Sequence, residues 1–153
     1  MIELYSNDAK RIQHFCKVHS YAKLIAETEN VDKKSLFIIE VAALTHDIGI
    51  HFCEEKYGNC NGRLQEKEGP AIAERLLKKL GFDQEVSDRV QYLIAHHHTY
   101  NDIDAMDYQI LVEADFLVNI MEDSLTKEAA LKAYHNIFKT ACGKTICREM
   151  FDI

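Results

Sequence analysis

Apolar residues near the start of the chain recur at the spacing of an α-helix. Residues 6–8 offer helix caps, and Ile12, Phe15, Ala22 and Ala26 follow at intervals of three, seven and four residues. This spacing places the apolar side chains on one face. The pattern predicts a first helix whose broad apolar side is buried.

A second helix is predicted from Asp32, which is a favoured capping residue. The stretch 36–44 that follows is apolar almost all round, with Glu40 as its single interruption. A helix that is apolar on every side is enclosed by others. This central helix runs into His46-Asp47, and Gly49 is expected to mark its end.

The rest of the chain predicts four more helices and no strands. Residues 50–67 lose the periodicity and contain several Gly and Asn residues, so this stretch is predicted as a long loop. The four helices are expected at Pro70 to Gly81 with Pro70 in the first turn, Asp83 to about His97, Asp107 to Met121, and Thr126 to Gly143. We therefore expect one all-α domain over residues 1–153, a bundle of about six helices.

The net charge of the chain limits the classes of partner that are expected. Eighteen basic residues face twenty-five acidic ones, for a formal net charge of −7, and no Lys/Arg run stands out. Binding to nucleic acid depends first on neutralising phosphates, so nucleic acid is not expected as an obligate partner. A small phosphorylated substrate stays open, because one bound metal ion can reverse the local field.

The location predicted from the sequence is the cytoplasm, without a membrane partner. No stretch approaches the ~20 apolar residues of a membrane span, and the first residues lack the basic-then-apolar layout of a signal peptide. The five cysteines form no CxxC pair, which predicts free thiols in a reducing compartment. The sequence leaves homo-oligomer formation open.

Four polar residues lie on helix faces that should be buried: His14, His46, Asp47 and Asp115. Taken singly, a helical histidine is more often a hydrogen-bonded core residue, and an aspartate is more often a cap or an ion-pair partner. A buried carboxylate needs a counter-charge, however, and no Lys or Arg is an obvious partner for Asp115. A divalent cation (Mn, Fe, Co, Ni or Zn) would explain all four residues at once, because two carboxylates balance its double charge and two neutral imidazoles bind it.

These residues and their surroundings resemble the HD-domain superfamily of metal-dependent phosphohydrolases. The stretches that carry the resemblance are 11–14, 42–49 (Ala-Ala-Leu-Thr-His-Asp-Ile-Gly) and 113–117. The resemblance implies an all-helical core in which His14, His46, Asp47 and Asp115 are the metal ligands. It also implies hydrolysis of phosphate esters, often those of nucleotides.

The chain departs from many two-metal relatives, which have a further histidine before a Gly-Ala helix start. Here residues 65–70 contain no histidine, so one ligand of a second metal ion is missing, and Glu66 or Glu68 could replace it. Three histidines follow at 96–98. The helical angle points His97 inward and places His96 and His98 beside it, but the trio could also simply end a helix.

The expected chemistry is attack on phosphorus by a water molecule that the cation activates. Asp47 is expected to orient this water, Glu66 or Glu68 to accept its proton, and His97 or His98 to protonate the leaving oxygen. The residues expected to bind substrate are Arg11, Lys56 and Lys67. Each could instead be a solvated surface charge.

Two other classes of function stay open at this point. The same site between the helices could bind a metal or nucleotide without hydrolysis, and the protein would then act as a sensor. It could also be a di-iron oxygenase, which requires two irons and hence additional ligands. The absence of a histidine before Gly69 weighs against the oxygenase.

Overall fold

The computed structural model describes all residues, 1–153, and contains helices and no strands. This confirms the all-α prediction, with eight helices where about six were expected. The helices are α1 (Ala9–Thr28), α2 (Lys33–Thr45), α3 (Ile50–Tyr57), α4 (Gly62–Lys79), α5 (Gln84–Ile94), α6 (Met106–Glu122), α7 (Lys127–Asn136) and α8 (Ala141–Phe151).

The core of the bundle is built around α2 and α6. Helix α2 packs against α1, α5 and α6, and α1 also packs directly against α6. Helix α6 buries twelve of its seventeen residues, among them Asp115. The first two helices begin where the sequence predicts, because the side chains of Asp8 and Asp32 accept hydrogen bonds from the first-turn backbone N–H groups.

The prediction of a long loop over residues 50–67 is wrong. Helix α3 occupies Ile50–Tyr57, and Gly58 ends it in the left-handed conformation, at φ 71°. The side chain of Asn61 then caps α4. Helix α3 is short and buries only two residues, Ile50 and Cys53. That is too few apolar positions to produce a visible stripe in the sequence.

Pro70 also lies elsewhere than expected, because α4 begins at Gly62 and Pro70 is inside the helix. The same helix approaches the chain closely just after the His46-Asp47 pair. A Cβ atom on Gly49 would lie 3.2 Å from the backbone N and Cα of Gly69. The two glycines therefore allow α4 to pack directly against the turn that carries Asp47.

The helix predicted from Thr126 to Gly143 is in fact two helices, α7 and α8, separated at residues 137–140. The buried carboxylate of Glu113 explains the break. It accepts hydrogen bonds from the backbone N–H of Lys139 (2.5 Å) and Thr140 (2.9 Å) and from the hydroxyl of Thr140 (2.5 Å). These bonds hold the chain in a turn at the start of α8, where a negative charge is favourable.

The stretch Lys33–Tyr57 is long and apolar enough to cross a membrane by length and composition alone, with mean hydropathy 1.5. In the structure it comprises α2, a turn and α3. Of its most apolar part, 56% is buried inside the bundle. Packing among the other helices is thus sufficient reason for its composition. All five cysteines are free thiols, as the sequence predicts.

Candidate metal centre

The four residues singled out in the sequence meet at one point between α1, α2 and α6. His14 Nε2 lies 3.2 Å from His46 Nε2 and 3.3 Å from Asp115 Oδ1. His46 Nε2 lies 3.5 Å from both Asp115 Oδ1 and Asp47 Oδ2, and His14 Nε2 lies 3.7 Å from Asp47 Oδ2. One nitrogen or oxygen atom from each residue therefore faces a common centre.

The outer nitrogens of the two histidines determine which atoms face this centre. His46 Nδ1 donates a hydrogen bond to the carbonyl oxygen of Ala43 (3.0 Å). His14 Nδ1 lies 3.0 Å from a carboxylate oxygen of Glu122, which can only accept a hydrogen bond when ionised. In both neutral rings the hydrogen is thus on Nδ1, and two Nε2 lone pairs face each other at 3.2 Å. Such a contact requires a proton or a cation between them.

The charges around this centre also favour a cation. Asp115 Oδ1 is buried, and the histidine nitrogens 3.3 and 3.5 Å away are not aligned to form a hydrogen bond with it. Burial would raise the pKa of Asp115, but contacts with His14 and His46 hold its pKa well below the usual range. Burial also opposes a charge on His46, yet the charge of Asp47 and the contact with Asp115 raise the pKa of His46 to about 9. Without a metal, the site retains positive charge on its histidines to balance two carboxylates.

His97 extends the cluster on the other side of Asp47. Its Nε2 lies 3.3 Å from Asp47 Oδ1, while its Nδ1 donates to the carbonyl oxygen of Ile94 (2.8 Å). His97 Nε2 is nevertheless not aligned to form a hydrogen bond with Asp47 Oδ1, and the Nε2 atoms of both His97 and His98 are buried without a hydrogen-bond partner. Burial, together with neighbouring His97, lowers the pKa of His98 to about 4, so this ring is neutral. His96 instead donates from Nδ1 to the carbonyl oxygen of Tyr92.

These observations fit a bound metal ion. His14, His46 and Asp47 place one ligand atom each within 4.8 Å of one another, and so do Asp47, His97 and His98. Imidazole nitrogen and carboxylate oxygen are the usual ligands of Mn, Fe, Co, Ni and Zn. The residues present could therefore hold one divalent ion beside His14 and His46, and Asp47 also reaches a second group of donors.

Glu66 and Glu68 are both engaged in protein contacts. Glu66 Oε1 accepts hydrogen bonds from the backbone N–H of His98 (3.0 Å) and from the hydroxyl of Thr99 (3.0 Å). The hydroxyl of Tyr57 donates to Glu68 Oε1 (2.5 Å), and this bond is the largest of the causes that lower the pKa of Glu68. Their expected roles as proton acceptors remain predictions.

The sequence pattern gave no indication of Gln65, which is the buried side chain of the stretch 65–68. Its Oε1 atom has no hydrogen-bond partner. The backbone oxygen of Gln65 is 3.7 Å from where a Cβ on Gly49 would lie, and Gly62, one turn before it, packs on the His98 ring. Gln65 therefore lies between the Asp47 turn and His98. A buried amide oxygen without a hydrogen-bond partner is a signal that only the structure supplies.

Glu122 was also absent from the predicted site, although it contacts His14 directly. It lies at the end of α6, two turns after Asp115, and Lys17 donates to its second oxygen (2.5 Å). A carboxylate that accepts the outer N–H of a metal-ligating histidine orients the ring and increases its basicity. The spacing of seven residues predicts that Glu122 shares a helix face with Asp115, but the contact with His14 is visible only in the structure.

The three basic residues predicted to bind substrate have different surroundings. Arg11 lines the surface cavity over the centre, but its guanidinium is paired with Asp8 (2.7 Å) and Glu54 (2.6 Å). Lys56 and Lys67 are not among the residues that line this cavity; their Nζ atoms lie 3.5 and 3.8 Å from Glu68 Oε1. Of the three, only Arg11 therefore lies at the cavity over the metal centre. Lys56 on α3 and Lys67 on α4 lie outside it.

Comparison with known proteins agrees with this geometry. A family model described as HD domain matches residues 11–141, which include all four converging residues. The crystal structure of a predicted HD superfamily hydrolase from an uncultured Thermotogales bacterium matches with a TM-score of 0.69 and 26% identity. The match covers 98% of this chain and 80% of that one. No curated protein matches. Because the family model spans most of its length, this chain belongs to the HD domain family.

Proposed function

We propose that this protein is a metal-dependent phosphohydrolase that cleaves a phosphate ester of a small phosphorylated metabolite, with nucleotides as the first candidates. The observation that carries the proposal is the convergence of His14, His46, Asp47 and Asp115 on one centre with lone pairs facing inward. The likeness to the Thermotogales protein, itself a predicted hydrolase, supports the same conclusion.

A divalent ion held at this centre supplies an activated water and stabilises negative charge on phosphoryl oxygens. The protein contributes the orientation of the reacting groups. Asp47 has one oxygen toward His14 and His46 and the other toward His97, so it can orient a water between the two sides. While no second ion is bound beside it, His97 can hold a phosphoryl oxygen or protonate the leaving oxygen when its Nε2 is protonated.

The proposal includes a second, weaker ion beside Asp47 Oδ1, His97 and His98. Both imidazole Nε2 atoms are buried without a hydrogen-bond partner, and so is Oε1 of Gln65, which lies on α4 between the Asp47 turn and His98. A neutral amide oxygen is a poorer ligand than imidazole for transition metals. We therefore expect a first equivalent to bind tightly and a second to bind only at higher concentration. His98→Ala should remove the second equivalent alone, and Gln65→His should tighten it.

The test of the phosphohydrolase is phosphate release from a library of nucleotides and sugar phosphates, run separately with Mn, Fe, Co, Ni and Zn after metal analysis. Asp47→Ala should abolish release while helicity is retained, and Asp88→Ala, an exposed aspartate on α5, should leave it unchanged. Absence of release with every ion would contradict the proposal and favour a binding sensor. Two equivalents of iron with oxygen consumption would favour an oxygenase.

A further inference from the structure

The surface opening of the metal centre, which we call the mouth, is a cavity of about 300 Å³. This volume is at the low end for small-molecule sites. No apolar side chain lines it. The lining residues are Asp8, Lys10, Arg11, His14, Asp47, Asn119 and Glu122.

Most of the charged groups in the mouth already have protein partners. Asp8 accepts from Arg11 and lies 3.1 Å from His51, and Arg11 also binds Glu54. Glu122 is held between His14 and Lys17, as described above. The geometry thus leaves these groups little freedom to rearrange around a ligand, because each bond made to substrate would break one to protein.

Two of the lining residues, Lys10 and Asn119, have side chains that make no hydrogen bond or ion pair with the protein. Neither residue is a candidate metal ligand. Lys10 is one turn before His14 on α1, and Asn119 is one turn after Asp115 on α6. They therefore lie on the two helices that carry the opposing sides of the metal centre. One offers a positive charge, and the other offers both a donor and an acceptor.

We propose that the mouth binds the phosphate and the attached sugar of the substrate and makes no specific contact with a nucleobase. Lys10 binds a phosphoryl oxygen, and Asn119 binds a sugar hydroxyl, which can both donate and accept. This inference rests on the proposed function and narrows its substrate class to phosphate monoesters of sugars, including nucleotides of any base.

The composition of the mouth supports the lack of base recognition. Proteins hold bases by stacking them on aromatic rings or Arg planes. The mouth contains no aromatic carbocycle, and its guanidinium, Arg11, is paired with two carboxylates. An exposed aromatic ring, Tyr100 packed on Phe116 with centroids 5.0 Å apart, is not part of the mouth.

Binding to the metal-loaded protein tests the inference without turnover. The probes are inorganic phosphate and non-hydrolysable phosphonate analogues of ribose 5-phosphate, AMP and UMP, measured by calorimetry. Lys10→Ala should weaken all four by about tenfold, the usual effect of losing one charged hydrogen bond. Asn119→Ala should weaken the three sugar-containing probes and leave inorganic phosphate unchanged. The controls are the exposed residues Lys33→Ala and Asn136→Ala.

The three sugar-containing probes should bind within about threefold of one another, since a base outside the mouth adds little. A preference of about tenfold or more for one base would overturn the inference and point to an aromatic ring such as Tyr100. Unchanged binding in both variants would overturn it as well. If the binding pattern holds but no phosphate is released from the parent esters, the proposed hydrolysis is wrong and the recognition stands.

Discussion

His14 Nδ1 lies 3.0 Å from Glu122 Oε2, and Lys17 holds the other oxygen of the same carboxylate at 2.5 Å. The side chain of Glu122 is 12% exposed and that of His14 is 7% exposed. This chain of contacts determines which nitrogen of His14 carries hydrogen, and so leaves the Nε2 lone pair facing the metal centre. Helix α6 thus contributes to the metal centre twice, with a ligand candidate and with the group that orients the opposing histidine.

Removal of the Glu122 carboxylate is expected to weaken metal binding. Glu122→Ala leaves the His14 ring free to rotate and to change tautomer, which costs about 10- to 100-fold in metal affinity. Glu122→Gln, whose amide can still accept the hydrogen bond, should fall between wild type and Glu122→Ala. Competition with a chromophoric chelator measures the effect, with exposed Glu149→Ala as the control. Equal affinity in all four proteins would exclude the orienting role.

Metal removal should lower the thermal stability. A ligand at about 100 times its Kd stabilises the folded state by about 2.7 kcal/mol. For a chain of this size that corresponds to a rise in Tm of roughly 5–10 °C. Scanning calorimetry before and after chelation should show this difference in wild type and not in His14→Ala. A wild-type Tm that chelation does not change would argue against an ion at this centre.

Metal affinity should increase with pH. In the metal-free protein, burial opposes protonation of His46, but Asp47 and Asp115 outweigh it and raise its pKa to about 9. The ion must displace this proton, so the apparent affinity should rise about tenfold per pH unit below pH 9 for each proton released. Chelator competition at several pH values, corrected for the chelator's own protons, measures the slope. A flat profile from pH 6 to 9 would contradict the protonated resting state.

Gly143→Ala should destabilise the fold without affecting the metal centre directly. A methyl group there would overlap Glu113 Oε2 and lie 2.7 Å from Thr140 Oγ1, inside the hydrogen-bonded start of α8. Overpacking of this kind costs about 1–3 kcal/mol. Urea unfolding measures the change, and Thr145→Ala on the exposed side of the same helix serves as the comparison. If both variants unfold at the same urea concentration, the space between Gly143 and Glu113 accommodates a methyl group and this prediction is wrong.

Some helices are visible in the sequence and others are not, for a physical reason. Helices α1 and α6 each bury a wide apolar stripe and α2 is apolar almost all round, so all three can be recognised along the chain. Helix α3 buries only Ile50 and Cys53, and the break before α8 depends on Glu113, which is far away in the chain. Short helices and breaks held by distant side chains leave no local pattern.

The sequence by itself determined the fold class and the four residues that converge, because buried polar side chains on apolar faces stand out against their neighbours. Only the tertiary structure decided what surrounds them: the orienting contact of Glu122, the buried amide of Gln65 and the pairing of Arg11 with two carboxylates. These depend on which residues from distant helices face each other. Such contacts are set by how whole helices pack, and periodicity along one helix carries no information about its partner.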